Sequence, residues 1–278
     1  MTAFDIVVRN IYGQAELRAV EALQKEVWGV HDLDVVPLTQ LVAAKAAGGV
    51  LLGAFDQKTL IGFAYGFAGF EHGRMTHHSH MLAVKPAYRG NDVGYRLKLA
   101  QRDLILAQGI KEMTWTYDPL QSANAYFNFS RLGVVSNQYF IDFYGADASS
   151  FLHRNGTDRL WVTWPVGARR VTEKLEKPAS MREYEQGESL VEVGENSIPR
   201  EHDLDSAIPG DIAFIEIPAQ IGEIERLSLE LAADWREATR IAFNNAIGEG
   251  FVVIDFVRRS DIGRYVLSRS QTLDELAA

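Results

Sequence analysis

The feature that most constrains this chain lies between His78 and Leu97. It reads His-Ser-His-Met-Leu-Ala-Val-Lys-Pro-Ala-Tyr-Arg-Gly-Asn-Asp-Val-Gly-Tyr-Arg-Leu. His78–Val84 reads as a strand that Lys85-Pro86 stops, and a run of small and polar residues then opens a helix reaching about Gln108. Strand, small-residue loop and helix in that order bring backbone N–H groups and the positive end of a helix dipole to one point, which suits a pyrophosphate. Small residues let phosphate oxygens approach the main chain closely.

Where this loop falls in the chain narrows the fold. Ahead of it the sequence predicts a strand at Phe4–Arg9. A helix follows at Glu16–Trp28, with Leu17, Val20, Leu23, Val27 and Trp28 at helical spacing. A second helix, Leu38–Ala47, starts after Pro37 and stops at Gly48-Gly49. Val50–Phe55 and Leu60–Phe70, joined by Asp56-Gln57-Lys58, read as a hairpin. A dinucleotide site of the Rossmann type would follow the first strand, and a P-loop would carry Gly-Lys-Ser/Thr; this chain does neither. Beyond the loop, Lys111–Tyr117 reads as a strand and Ser122–Leu132 as a helix closed by Gly133. Gln138–Tyr144 and Leu160–Trp164 read as two more strands.

Val84-x-Pro86-x-Tyr88-Arg89-Gly90-x-x-Val93-Gly94-x-x-Leu97 resembles the acyl-CoA-binding motif, Gln/Arg-x-x-Gly-x-Gly/Ala, of the GNAT superfamily of N-acyltransferases. The order of elements from Phe4 to Trp164 is similar to that fold as well. The resemblance implies an α/β protein: a GNAT-like mixed, mostly antiparallel sheet flanked by helices, with a smaller C-terminal α/β extension. It implies acetyl-CoA or another acyl-CoA, succinyl-CoA included, as cofactor. By the same resemblance, the backbone of Leu82, Ala83 and Val84 pairs with the pantetheine arm, and Arg89, Gly90, Asn91, Asp92, Val93, Gly94 and Tyr95 cradle the pyrophosphate. Asp92 departs from the pattern, standing where the middle glycine is expected. Asp tolerates left-handed backbone better than most residues, but its charge would lie near the phosphates.

Acylating an amine removes a proton from the ammonium and returns one to the CoA thiolate. His78 and His80 lie two apart on one strand and so share a face, and imidazole accepts a proton near neutral pH. They are the candidate bases; the plainer reading makes them, with His77, polar residues of a partly exposed strand. Here the resemblance is to arylalkylamine N-acetyltransferases, which carry His-x-His in the same strand. Asp118–Gly133 resembles the family's Asn-x-x-Ala-x-x-x-Tyr-x-x-x-Gly segment beside the thiol end of CoA. Aligned on Gly133, it puts Phe129 where the usual general acid sits, and a phenyl ring has no proton to give. Tyr126, three residues back, is the candidate substitute, with Tyr117 a second. Asn124 and Asn128, at i and i+4, share a helix face and are expected to bind the pantetheine amides or the substrate. Trp115, Tyr117, Tyr139, Phe143, Tyr144 and Trp164 are candidate pocket walls, and Arg131, Arg154 or Arg159 a candidate for a substrate carboxylate. Core packing and surface ion pairing are the commoner fates of such residues.

From 167 to 210 the sequence turns to Glu, Lys, Arg and Ser without a sustained period. This reads as a linker or irregular connection between a GNAT-like domain at 1–166 and a strand–helix–strand unit at 211–278. The latter comprises Ile212–Ile217, Glu223–Ala246 and Phe251–Val257. Its order matches the middle of the first domain, but Pro218-Ala219-Gln220-Ile221-Gly222 is no glycine-rich loop, so a structural or substrate-shaping role is expected.

The net charge of −9 gives no general attraction to nucleic acid or anionic membrane, and the apolar stretch at Val50–Phe70 is too interrupted to span a bilayer. The absence of cysteine excludes disulfides, thiolate metal sites and a cysteine nucleophile. The histidines lack acidic partners at ligand spacing, so no metal is expected. Met1–Asp5 opens no secretory pattern. The expectation is a cytoplasmic enzyme that moves an acetyl or succinyl group from acyl-CoA to the amine of a small molecule by direct transfer in a ternary complex. The words His-Met-Leu-Ala-Val, Trp-Thr-Tyr-Asp-Pro-Leu and Asn-Ala-Tyr-Phe-Asn resemble a larger bacterial subgroup of GNAT-like proteins, some associated with N-acylation of amino acids. Dimers are common in the superfamily, which leaves a homodimer open. The rival from another class is a non-catalytic CoA-binding or sensor protein that keeps the fold, a reading that Asp92 and Phe129 favour.

Overall fold

The computed structural model describes residues 5–71, 73–145, 155–176, 184, 187–202 and 210–277. Among them the chain forms two compact units, the first ending at Trp115 and the second beginning at Thr116.

In the first unit, strand β1 (Ile6–Asn10) leads to helices α1 (Gly13–Trp28) and α2 (Leu38–Ala46). The meander β2 (Val50–Asp56), β3 (Thr59–Glu71) and β4 (Arg74–Val84) follows. Helix α3 (Val93–Ala107) and the first residues of β5 (Glu112–Tyr117) complete it. The strands lie in the order β1-β2-β3-β4-β5, antiparallel throughout except for the parallel β4–β5 pair. The helical spacing of α1 turns Leu17, Val20 and Leu23 into one core with Leu41, Leu51, Phe55, Phe63 and Tyr65. Each such apolar side chain, fully buried, contributes about 1.5–3 kcal/mol relative to exposure. Helix α3 buries Val93, Leu97, Lys98, Gln101 and Ile105. Two polar residues in a core-facing stripe have to be hydrogen-bonded, because an unmade buried bond costs about 1–3 kcal/mol.

In the second unit, helix α4 (Ser122–Ala125) passes into a π-helical segment, Tyr126–Leu132, closed by Gly133 at φ 79°. Strands β6 (Val135–Phe140) and β7 (Arg159–Pro165) follow, then helix α5 (Arg169–Glu176) and strands β8 (Glu188–Val193) and β9 (Pro199–Glu201). Strand β10 (Ile212–Pro218), helices α6 (Ile221–Leu227) and α7 (Leu229–Gly248), strands β11 (Val252–Arg259) and β12 (Ile262–Ser268), and helix α8 (Leu273–Ala277) complete it. The order is β7-β6-β11-β12-β10-β8-β9, antiparallel except for β10–β8.

Three local features differ from expectation. The stretch read as an irregular connection holds α5, β8 and β9, elements of three to eight residues that are too short to show a period. The helix expected over Glu223–Ala246 is two helices. Ser228 is extended (φ −152°, ψ 109°) and its hydroxyl accepts the Leu231 N–H at 3.1 Å, capping α7. Strand β6 stops at Phe140 because Asp142 turns the chain at φ 47°, its N–H held by Asp158 Oδ1 at 3.1 Å. No helix among the described residues is long and apolar enough to cross a membrane.

Candidate active site

Strand β4 carries the candidate bases and the expected cofactor edge, and a bulge sets its geometry. Tyr65 pairs with Met81 and Phe67 with His78, so Gly66 alone stands opposite Ser79 and His80. A Cβ on Gly66 would collide with the His77 ring and lie 2.6 Å from the His78 carbonyl oxygen, so only glycine fits there. Toward β5 the ladder consists of His77↔Met113 and His78↔Thr114, although β4 runs on to Val84. Past His78, therefore, β4 has β3 as its one strand partner among the described residues, and Arg89 Nε donates to the Val84 carbonyl at 3.3 Å. The edge of Leu82, Ala83 and Val84 is left able to pair with an extended ligand.

The loop after β4 is shaped by its own backbone. A single turn at Pro86–Tyr88 leads through Arg89 to Gly90 at φ 81° and Asp92 at φ 56°. Asp92 is the N-cap residue of α3, yet its side chain makes no cap hydrogen bond. The N-terminal N–H groups of α3 point where an anion binds well. Asn91 Nδ2 instead donates to the Tyr88 and Arg89 carbonyls, each at 3.3 Å. The Tyr88 hydroxyl donates to Asp56 at 2.8 Å and anchors the loop to β2. At Gly94 a Cβ would meet Leu82 at 3.7 Å and Val84 at 4.0 Å, ordinary contacts. The fold does not need glycine there, and in a helix glycine costs about 1 kcal/mol against Ala.

The two faces of β4 carry different histidine chemistry. On the α3 side, His77 is buried, with Nε2 3.0 Å from Gln101 Nε2, and the Ser79 hydroxyl donates to Gln101 Oε1 at 2.9 Å. Lys98 Nζ donates to Ser79 Oγ at 2.8 Å and lies 3.5 Å above the Trp115 ring. Burial drives the Lys98 pKa well below its ordinary value.

On the other face, His78 and His80 have ring centroids 6.3 Å apart, and Phe67 lies 5.5 Å from His78 and 5.7 Å from His80. His78 Nδ1 is 3.2 Å from Thr114 Oγ1, whose hydroxyl donates to Glu71 Oε1 at 2.9 Å. Burial, and then His80 and Lys98, lower the His78 pKa from 6.5 to about 4. Burial, and then Lys98 and His78, lower that of His77 likewise to about 4. Since burial also pushes Lys98 toward its neutral form, burial is the cause we stand behind for both. His80 is still reached by solvent, but the surrounding Tyr65, Phe67 and His78 rings displace enough water to lower its pKa too.

A protein-family model described as the acetyltransferase (GNAT) family matches residues 15–133. Residues 15–133 are a GNAT-family domain. Among solved structures, the chain is similar to the ribosomal-protein-S18-alanine N-acetyltransferase of Escherichia coli at 11% identity and a TM-score of 0.47. That match covers 59% of this chain and 95% of that one. A putative GNAT-family acetyltransferase of Desulfovibrio desulfuricans gives 15% identity and 0.48, covering 58% and 99%. A putative acetyltransferase of Salmonella typhimurium, solved with acetyl-CoA, gives 17% and 0.47, covering 59% and 96%. No curated protein sequence matches the chain.

The remaining candidates of the GNAT domain belong to the second unit. The π-helical segment breaks the i,i+4 alignment expected of Asn124 and Asn128: Asn124 is exposed on α4, whereas Asn128 is buried and its carbonyl accepts the Val134 N–H at 3.2 Å. Phe129 is wholly buried, its ring centroid 6.4 Å from Tyr117 and 5.9 Å from Tyr265. It is a core residue. The Tyr117 hydroxyl is buried 2.8 Å from that of Tyr265, which donates to the Pro119 carbonyl. Its proton is thereby committed to Tyr265, and burial holds its pKa well above 10. Tyr126 is half-buried, with the Arg258 guanidinium 5.7 Å from its ring centroid. Arg159 is buried, donates to the Asp158 carbonyl at 2.7 Å and lies over Tyr144. Arg154 lies outside the described residues. Among the described residues no cluster of three or more acidic or histidine side chains is placed to hold a metal ion.

Glu71, Thr114 and Lys98 were not singled out by the sequence. Only Lys98 left a signal there: a cation next to Leu97 on the apolar stripe of α3.

Proposed function

We propose that this protein is an N-acyltransferase that moves an acyl group, acetyl before succinyl, from acyl-CoA to the amine of a small molecule, with amino acids among the candidate acceptors. Transfer would be direct, in a ternary complex. The observation that carries this reading is a neutral histidine pair beside an unpaired strand edge. Burial keeps His78 unprotonated at neutral pH, and the edge of Leu82, Ala83 and Val84, which has no strand partner toward β5 among the described residues, begins two residues beyond the bulge. Arg89 to Tyr95 bind the pyrophosphate through the N-terminus of α3, and the room left by Gly94 admits it. The bound donor supplies an activated acyl group. His78 and His80 take the ammonium proton, directly or through water. The freed amine forms its bond to the thioester carbonyl carbon, the C–S bond breaks, and the CoA thiolate takes a proton back from the imidazolium.

Calorimetric titration of the full chain with acetyl-CoA and succinyl-CoA tests the reading, with Gly94→Glu as control. Saturable binding of either thioester, abolished in the control, supports it, and the tighter thioester is the donor. Binding of neither would sink it. A non-catalytic CoA-binding protein is the second reading, favoured by Phe129, a core residue where the family pattern has its acid. His78→Ala with His80→Ala separates the two, because an enzyme loses turnover by about 10²–10⁴-fold while CoA binding persists.

A further inference from the structure

A Thr–Glu pair lies behind His78. Thr114 and His78 are opposite each other on the parallel strands β5 and β4. Thr114 is buried, with its oxygen 3.2 Å from His78 Nδ1 and 2.9 Å from Glu71 Oε1. A carboxylate only accepts hydrogen bonds, whereas a hydroxyl has one proton to give. The Thr114 proton therefore goes to Glu71, and the Thr114 oxygen has only lone pairs to offer His78. The Thr76 hydroxyl also donates to Glu71 Oε1, at 3.3 Å, so the carboxylate is held from two strands. The ionisable groups around the ring are His80 on β4, Glu71 on β3 and Lys98 on α3.

We propose that Glu71 is a positioning residue for His78, acting through Thr114. Its carboxylate takes the Thr114 proton, the Thr114 oxygen accepts from His78 Nδ1–H, and Nε2 is left as the nitrogen with the lone pair. Free imidazole in water prefers the opposite tautomer, so the relay decides which atom of His78 can act as a base. The purpose given to Nε2 rests on the acyltransferase reading; the tautomer itself does not.

The test is a long-range ¹H–¹⁵N spectrum of the full chain labelled at histidine, at pH 7, with His78 signals assigned by their loss in His78→Asn. The expected wild-type pattern has pyrrole-type Nδ1 and pyridine-type Nε2, kept in Thr114→Ser. Glu71→Ala frees the Thr114 proton to donate to Nδ1, so the two nitrogens exchange types; Thr114→Val loses the preference. A pyrrole-type Nε2 in the wild type overturns the proposal, and so does an unchanged spectrum in folded Glu71→Ala. Should Glu71→Ala fail to fold, the wild type and the two Thr114 variants decide alone. Acetyl-CoA titration of the same wild-type sample keeps the questions apart. Absent binding with the Nδ1–H tautomer present sinks the acyltransferase reading and leaves the relay standing.

Discussion

The two units treat buried charge in opposite ways. In the second, buried carboxylates meet cations. Arg236 grips Asp118 through two bonds of 2.8 and 3.0 Å, and Asp158, wholly buried, receives Arg240 at 2.9 and 3.0 Å and the Tyr139 hydroxyl at 2.7 Å. Lys174 meets Asp255 at 2.7 Å and Arg264 meets Glu216 at 2.6 Å. In the first unit Lys98 is as deeply buried but has a hydroxyl, a thioether and an indole face for company, and no carboxylate among the described residues. His77 and His78 beside it are held neutral at pH 7. Paired charges fix a scaffold, whereas these histidines stay neutral because burial disfavours their charged form. The unit that carries the loop between β4 and α3 is the one that retains such bases.

Breaking the strongest pair should show the difference most clearly. Burial opposes charge on Arg236, but Asp118, by its charge and its hydrogen bonds, raises the Arg236 pKa on balance. The Arg236 side chain is only 5% exposed, so in Asp118→Ala the cation is stranded. Urea unfolding should show a loss of about 3–5 kcal/mol. A loss below about 1 kcal/mol would mean that water reaches Arg236 and that the pairing is not what holds the unit.

The histidines should show themselves through pH. Desolvation lowers the pKa of buried His77 and half-buried His78 to about 4, against the ordinary 6.5. Between those values the unfolded chain binds their protons and the folded chain does not. Stability therefore falls as pH drops from 6.5 toward 4, by up to about 1.4 kcal/mol per pH unit for each histidine. His77→Gln, on the α3 face and apart from the proposed chemistry, should remove one histidine's share of that slope in unfolding curves at pH 7, 6 and 5. A slope equal to wild type would show that His77 is not kept neutral. Lys98→Met should change stability at pH 7 by less, within about 1 kcal/mol, since an apolar replacement ends the burial of an amine. The pKa depression has a sign of its own: wild type should gain on Lys98→Met as pH rises toward the lysine value of 10.5.

Much of this was legible in the sequence, and what was not has a common cause. Helical spacing in α1 and the Pro37 start of α2 are local, and so is the turn after Pro86. So is the strand–loop–helix order that led to the GNAT resemblance, and residues 15–133 proved to be such a domain. The bulge at Ser79 and His80 is a property of two strands in register, with Gly66 its only local trace. The π-helical segment depends on where the Asn128 carbonyl finds its donor, so Asn124 and Asn128, neighbours by counting, part company in burial. The His78 relay joins residues from three strands, 36 positions apart for His78 and Thr114 and 43 for Thr114 and Glu71. No periodicity within one element encodes such a meeting.

The smallest expected effect sharpens the comparison most narrowly. Helix α5 makes two ion pairs of equal length from neighbouring residues: Arg169–Glu173 at 2.7 Å and Lys174–Asp255 at 2.7 Å. They differ in surroundings, with side-chain exposures of 89% and 50% for the first and 13% and 9% for the second. Water screens the first pair, and holding two long side chains in place offsets most of its attraction. The second is enclosed, and Asp255 is held also by the Tyr184 hydroxyl at 3.0 Å. Glu173→Gln should leave the urea midpoint unchanged within measurement scatter, while Asp255→Ala lowers it clearly. Equal effects would mean that charge contributes by its presence on the helix and not by its burial, and the contrast between the two units would then have to rest on something other than desolvation.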